Sequence, residues 1–152
     1  MPPVAIKPNV YWIGVNDRTT DLFEGMWPIT QEGVSYNAYL IDDEKKAIVD
    51  LAKSLKTDDF LGQIDQVVDV SVLDYVIVNH MEPDHSGLLR TIRRLAPDVT
   101  LVGTRRTAAM LESFYGITEG IKVVEDGESI ELGERTLRFY HTPMVHWPET
   151  MM

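Results

Sequence analysis

The apolar run Tyr75-Val76-Ile77-Val78-Asn79 leads directly into His80-Met81-Glu82-Pro83-Asp84-His85, and this junction constrains the fold more than any other part of the chain. A strand over Leu73 to Asn79, nearly all apolar in its second half, reads as buried on both faces, as in a sheet covered by helices. The next six residues gather two histidines and two carboxylates, with no Lys or Arg among them. Glu82 and Asp84 repel each other at close range, and a bound cation offsets that cost. The junction therefore reads as a metal site at the end of a buried strand.

Composition narrows the metal. The chain has no cysteine, which excludes disulfides, thiolate zinc sites, iron–sulfur clusters and cysteine nucleophiles. The donors left are imidazole nitrogen and carboxylate oxygen, a set that suits zinc, iron or manganese. The seven methionines are scattered and form no copper-binding box. A formal charge of −10 argues against nucleic acid and anionic membrane surfaces as partners. No segment approaches roughly 18 apolar residues, and Met1-Pro2-Pro3-Val4 lacks the basic start of a signal peptide. These features point to one soluble domain of 152 residues in the cytoplasm.

The remaining pattern predicts strands over Val10 to Val15, Val34 to Ile41 and Lys46 to Leu51, an opening β-meander whose last turn is Asp42-Asp43-Glu44-Lys45. A helix is predicted from Thr57 to Asp69, with Phe60, Ile64, Val67 and Val68 on one face and Asp58 and Asp59 favourably placed in its first turn. A second helix should begin at Ser86 and stop before Pro97, and a third should run from Thr104 to Tyr115, ended by Gly116. Short strands follow at Val99 to Val102, Val123-Val124, Ser129 to Leu132 and Thr136 to Tyr140, the last two joined across Gly133-Glu134. The order βββ-α-β-α-β-α-βββ predicts an α/β (α+β) domain built on a mixed β-sheet with helices on one face.

Spacing within the cluster is informative. His80 and Glu82, two apart, point to the same side if the strand continues through them. Pro83 should then turn the chain and aim Asp84 and His85 at a second position. Two ions about 3.5–4 Å apart are a recurring catalytic arrangement. His146, in a loop stiffened by Pro143 and Pro148, is the best remote donor, whereas His141 has no companion ligand.

His80-x-Glu82-x-Asp84-His85, followed by His146-Trp147-Pro148-Glu149-Thr150-Met151, resembles the flavodiiron proteins, members of the metallo-β-lactamase superfamily. Ser35-Tyr36-Asn37-Ala38-Tyr39-Leu40-Ile41 and Ile48-Val49-Asp50 extend the resemblance over essentially the whole chain. The family carries Glu at the second ligand position, where the zinc hydrolases usually carry His. The resemblance implies a metallo-β-lactamase-like αββα sandwich, of which residues 1–152 supply the N-terminal half. It implies that His80, Glu82 and His146 bind one iron of a non-haem di-iron site and that Asp84 binds the other, with His85 a ligand in many members. It further implies reduction of dioxygen to water or of nitric oxide to nitrous oxide. Electrons would arrive from FMN on a flavodoxin-like domain, usually across a head-to-tail homodimer, fed by a donor such as rubredoxin or a flavoprotein reductase. An anionic oxygen in place of an imidazole hardens the site and favours ferric iron.

The family also uses a bridging Asp and a further His beyond the His-Trp-Pro segment, neither of which lies within these residues. No loop rich in Gly, Ser and Thr offers an FMN phosphate site here. The expectation is that the 152 residues alone are not a competent reductase, have no FMN site and expose a face that favours association. Two other readings compete. One is a zinc metallo-hydrolase using a metal-bound hydroxide, against which Glu82 counts. The other is a non-catalytic remnant that folds on a partner chain. The resemblance places the loop of Glu24 over the metal pocket, although Glu24 reads more readily as a solvated loop acid, and Trp147 either walls the site, belongs to the core, or does both. Arg93-Arg94 and Arg105-Arg106 read as solvated helix ends.

Overall fold

Side chains along the central strands sort by turns into two cores. In a computed structural model describing all 152 residues, Leu40, Ile48, Val76 and Leu101 join one buried cluster. Their neighbours Ile41, Ala47, Ile77 and Val102 join the other. This period of two is what a sheet buried on both faces requires. The first cluster is completed by Phe60, Ile64, Leu88, Leu89, Ile92 and Leu111 from the helical segments. The second is completed by Ile130, Leu132 and Phe139, from a hairpin lying on the opposite face. Each such side chain, fully buried, contributes about 1.5–3 kcal/mol.

In chain order the elements are β1 (Val4–Lys7), β2 (Val10–Trp12), β3 (Val15–Asp17), β4 (Leu22–Phe23), β5 (Trp27–Pro28), β6 (Val34–Tyr36), β7 (Tyr39–Ile41) and β8 (Ala47–Val49). Then follow α1 (Thr57–Ile64), β9 (Tyr75–Ile77), α2 (Pro83–Ser86), α3 (Leu89–Leu95), β10 (Thr100–Gly103), α4 (Arg105–Met110), β11 (Ile121–Val123), β12 (Ser129–Glu131) and β13 (Thr136–Arg138). The main sheet has seven strands in the order β1-β2-β7-β8-β9-β10-β11. Its first part is the expected antiparallel meander, and β8 to β11 run parallel. The mixed sheet with helices on one face is thus as the pattern implies.

Two long strands are broken where one was expected. Val10 to Val15 divides into β2 and β3, and Val34 to Ile41 into β6 and β7. The outer pieces β3 and β6 pair in a separate two-stranded sheet. Both strands bend together where Ile13 N–H donates to Ala38 O at 2.9 Å. At that bend a Cβ on Gly14 would collide with the Tyr36 carbonyl and lie 2.6 Å from the Trp12 ring. Gly14→Ala is accordingly expected to cost about 1–3 kcal/mol, read as a lower urea midpoint at unchanged slope; an unchanged midpoint would show that the bend has slack.

Other boundaries moved for local reasons. α1 ends at Ile64, and the Asp69 side chain accepts from Ser71 N–H at 2.8 Å to start a 3₁₀ turn instead. The second helix opens at Pro83 rather than Ser86, because proline suits the first helical position. It is interrupted at Gly87-Leu88 before α3. Thr104 caps α4 reciprocally with Thr107, and the helix continues as a wider π turn to Tyr115, with Gly116 in the left-handed conformation. The strands β1, β4 and β5 carry no pattern that announced them.

Candidate metal centre

The last sheet bond at the end of β9 is Val78 N–H to Val102 O, 2.8 Å. Asn79 N–H turns instead to the Asp50 carboxylate at 2.8 Å. The strand therefore does not run on through His80, and the condition under which spacing alone would align His80 with Glu82 is not met. His80 and Glu82 are brought together by a turn. Glu82 is the residue preceding α2, with extended backbone (φ −60°, ψ 144°). Its carbonyl accepts from His85 and Ser86 N–H at 2.8 and 2.9 Å. Ser86 Oγ donates to Met81 O at 2.7 Å and closes the turn.

The third donor arrives from the loop after β13. Thr150 Oγ1 bonds the carbonyls of Thr142 and Trp147, Met144 N–H bonds Trp147 O at 2.8 Å, and Met151 N–H bonds Asn79 O at 3.2 Å. These bonds pin the loop beside β9 and bring His146 to His80 and Glu82. His80 Nε2 and Glu82 Oε2 are 3.0 Å apart. His146 Nε2 lies 3.1 Å from Glu82 Oε2 and 3.1 Å from His80 Nε2.

This triangle tests whether a metal fits. Donors about 2.1 Å from an ion and at right angles to one another lie about 3.0 Å apart, against about 3.4 Å at a tetrahedral angle. The observed edges are short enough for one ion to touch all three atoms, and two imidazoles with one carboxylate make a donor set that suits iron or zinc. The proton inventory agrees. His80 Nδ1 lies 2.9 Å from Glu149 Oε1, a contact that a hydrogen on Nδ1 satisfies. In the neutral ring Nε2 then aims a bare lone pair at the Glu82 oxygen, an arrangement that a cation between them stabilises.

Asp84 and His85 sit beside the triangle, not in it. The rings of His80 and His85 are 5.3 Å apart, and His85 lies 3.6 Å from both Asp84 and Asp50 carboxylate oxygens. Asp84 Oδ1 and His85 Nδ1 are buried without hydrogen-bond partners. Burial pushes the Asp84 carboxyl above its usual range; His85 opposes this, while Glu82 and Glu24 add to it. For His85 burial disfavours the charge, but Asp50, Asp84 and Glu82 outweigh it and raise the pKa. Unpaired donors among crowded carboxylates are what a second cation position next to the first would satisfy.

Comparison with known proteins was decisive. The model of the ODP family beta lactamase matches residues 34–152, which include every donor above. The chain belongs to this ODP family. It aligns with flavodiiron proteins along nearly its whole length. It is 39% identical over 150 residues to a nitric oxide reductase of Moorella thermoacetica and 34% identical to a flavo-diiron protein of Clostridium acetobutylicum. Among solved structures it superposes on a flavoprotein of Thermotoga maritima with a TM-score of 0.91 at 35% identity. On the rubredoxin oxygen:oxidoreductase of Desulfovibrio gigas the TM-score is 0.92 at 31% identity. The alignments take in 98% of this chain but 38% of the Moorella relative, and 99% against 39% for the Thermotoga structure. No helix is long and apolar enough to cross a membrane.

Within this ODP domain the other singled-out residues fall into place. Trp147 packs against the helix-side core and meets the His80 ring edge-on at 5.1 Å, so it both walls the site and belongs to the core. Glu24, at the tip between β4 and β5, pairs with Lys53 at 3.2 Å. His141 Nε2 bonds Val124 O at 3.1 Å, away from the triangle. Arg93 is not a solvated helix end: its guanidinium bonds Glu119 O at 2.9 Å. Arg105 is solvated, 3.6 Å from an exposed Glu125. Sequence reasoning gave no role to Asp50 or Glu149. Asp50 had a signal, because it follows β8, which runs parallel to β9 with Val49 opposite Ile77, and so emerges at the same sheet end as His80. Glu149 had none.

Proposed function

We propose that this chain is the metal-binding part of a flavodiiron oxidoreductase that reduces dioxygen to water or nitric oxide to nitrous oxide. In this reading His80, Glu82 and His146 hold one iron, and Asp84 and His85 contribute to a second. The observation that carries it is the triangle of two imidazole nitrogens and one carboxylate oxygen with edges of 3.0–3.1 Å. The names of the relatives, a nitric oxide reductase and an oxygen:oxidoreductase, support the reaction class. Because the chain spans 38% of the Moorella relative, the activity belongs to a larger unit. There the electrons would come from FMN on another domain or subunit of a homodimer, supplied by rubredoxin or a flavoprotein reductase in the cytoplasm.

Iron bound by these residues would relay the electrons delivered by FMN and offer a place for a small diatomic substrate. The residues supply the setting. His80 and His146 present imidazole nitrogens, and Glu82 adds a hard oxygen donor suited to ferric charge. Trp147 excludes water from one side of the His80 ring. The buried Asp84 brings a carboxylate to the neighbouring position.

The test is the metal content of the purified chain after incubation with equal iron and zinc under anaerobic conditions. Zinc binds a given nitrogen and oxygen site more tightly than ferrous iron as a rule, so the ratio of the two metals is compared between chains: Glu82→His, exchanging oxygen for nitrogen, is expected to raise zinc over iron relative to the wild type. A ratio left unchanged by Glu82→His would instead show that Glu82 does not hold the metal.

A further inference from the structure

The Glu149 side chain is completely buried, yet nothing in the proposed reaction uses it. Its Oε1 accepts from His80 Nδ1 at 2.9 Å and from Met81 N–H at 2.8 Å. Its own carbonyl accepts from Thr104 Oγ1 at 3.1 Å. The neighbouring Thr150 and Met151 fasten the loop that carries His146 to Thr142 and Asn79. One residue thus touches the backbone and side chain of the His80 segment while sitting three positions from His146.

The geometry points to Glu149 as the positioning residue of the metal centre. It fixes His80 as the Nδ1–H tautomer, turns Nε2 toward Glu82 and His146, and holds the two ligand-bearing loops at one separation. This rests on the metal reading above. Two features argue for a role directed at His80 and against a purely structural one. First, both bonds to Oε1 come from the His80-Met81 pair, and no other element donates to this carboxylate. Second, Oε2 is buried without a partner, which is a cost to the fold that a neutral, apolar side chain would avoid. In return, an anion on the far nitrogen makes the imidazole a stronger donor to a metal, and loss of such partners weakens metal sites about 10- to 100-fold.

The experiment compares the wild-type chain, Glu149→Gln and Glu149→Ala in two measurements. Nitrogen NMR of the metal-free protein at pH 8 should show His80 as the Nδ1–H tautomer in the wild type, giving way to a tautomer mixture in Glu149→Ala. Titration of folded protein with Fe²⁺ should give a Kd raised about 10- to 100-fold in Glu149→Ala. Glu149→Gln, which keeps an acceptor and loses the charge, should fall between the two. An Nε2–H tautomer in the wild type, or variants that bind Fe²⁺ within twofold of the wild type, would overturn the assignment. Should Glu149→Ala not fold, the wild-type tautomer and the Glu149→Gln affinity decide it. A wild-type chain that binds no Fe²⁺ while His80 is the Nδ1–H tautomer would defeat the metal reading and leave the orienting bond standing.

Discussion

His80→Ala is expected to abolish tight metal binding, raising the Kd by at least about 100-fold, because removing a ligand costs more than removing a ligand's partner. Three donors meet within 3.1 Å, so losing one leaves only two for the same ion. His146→Ala should behave alike, although its side chain is 68% exposed and its loss should leave the fold intact. His80 is buried, so the His80 variant needs its stability measured alongside its metal content. His141→Ala is the control: its ring bonds the Val124 carbonyl and should leave affinity unchanged. Metal analysis and calorimetric titration check the series. Retention of full affinity by both His80→Ala and His146→Ala would remove the centre from this site.

The second large effect lies away from the metal. Asp17→Ala is expected to destabilise the chain by about 3 kcal/mol, the scale of breaking a buried charge pair. For a domain of this size that corresponds to a fall in Tm of about 6–12 °C. Asp17 is wholly buried at the end of β3. Its carboxylate accepts from Thr19 N–H at 2.9 Å, from the hydroxyls of Thr19, Thr20 and Tyr36 at 3.0, 2.5 and 3.0 Å, and pairs with Lys56 at 3.1 Å. These bonds tie β3 and β6 to Lys56, the residue that precedes α1. Burial by itself would raise the Asp17 pKa, but the bonds from Thr20, Thr19 and Lys56 overcome it and hold the carboxyl far below its ordinary value.

The sign of the pH effect follows. A carboxyl with a depressed folded pKa stabilises the native state fully above its unfolded pKa, near 4 (about 3.9). That contribution drains away as pH falls from there toward the folded value. Urea melts at pH 7 and pH 3 should therefore show a wild-type advantage over Asp17→Ala that shrinks in acid. An advantage of equal size at both pH values would assign the loss to packing and not to the charge.

Much of the metal centre was legible because its chemistry is local in the chain. His80, Glu82, Asp84 and His85 follow a strand whose uninterrupted apolar residues announce burial, and the absence of cysteine restricts the donors to nitrogen and oxygen. The sheet was legible for a similar reason: alternate residues of β7 to β10 enter opposite cores, and a period of two survives in sequence. The breaks at Gly14 and Ala38 were not. The bend is shared by two hydrogen-bonded strands and leaves no room for a Cβ at Gly14, which only their pairing in the fold reveals.

What the sequence by itself determined was the donor set, the end of the sheet that carries it and the likeness to flavodiiron proteins. Only tertiary structure decided how the donors divide. Glu82 joins His80 through a turn into α2 instead of a continuing strand, and His146 completes that triangle while His85 lies between Asp84 and Asp50. Glu149 orients His80 from 69 positions away. The physical reason is that a ligand's identity is a property of one residue. The direction of its lone pair depends on hydrogen bonds from loops far apart in the chain, and only folding sets those.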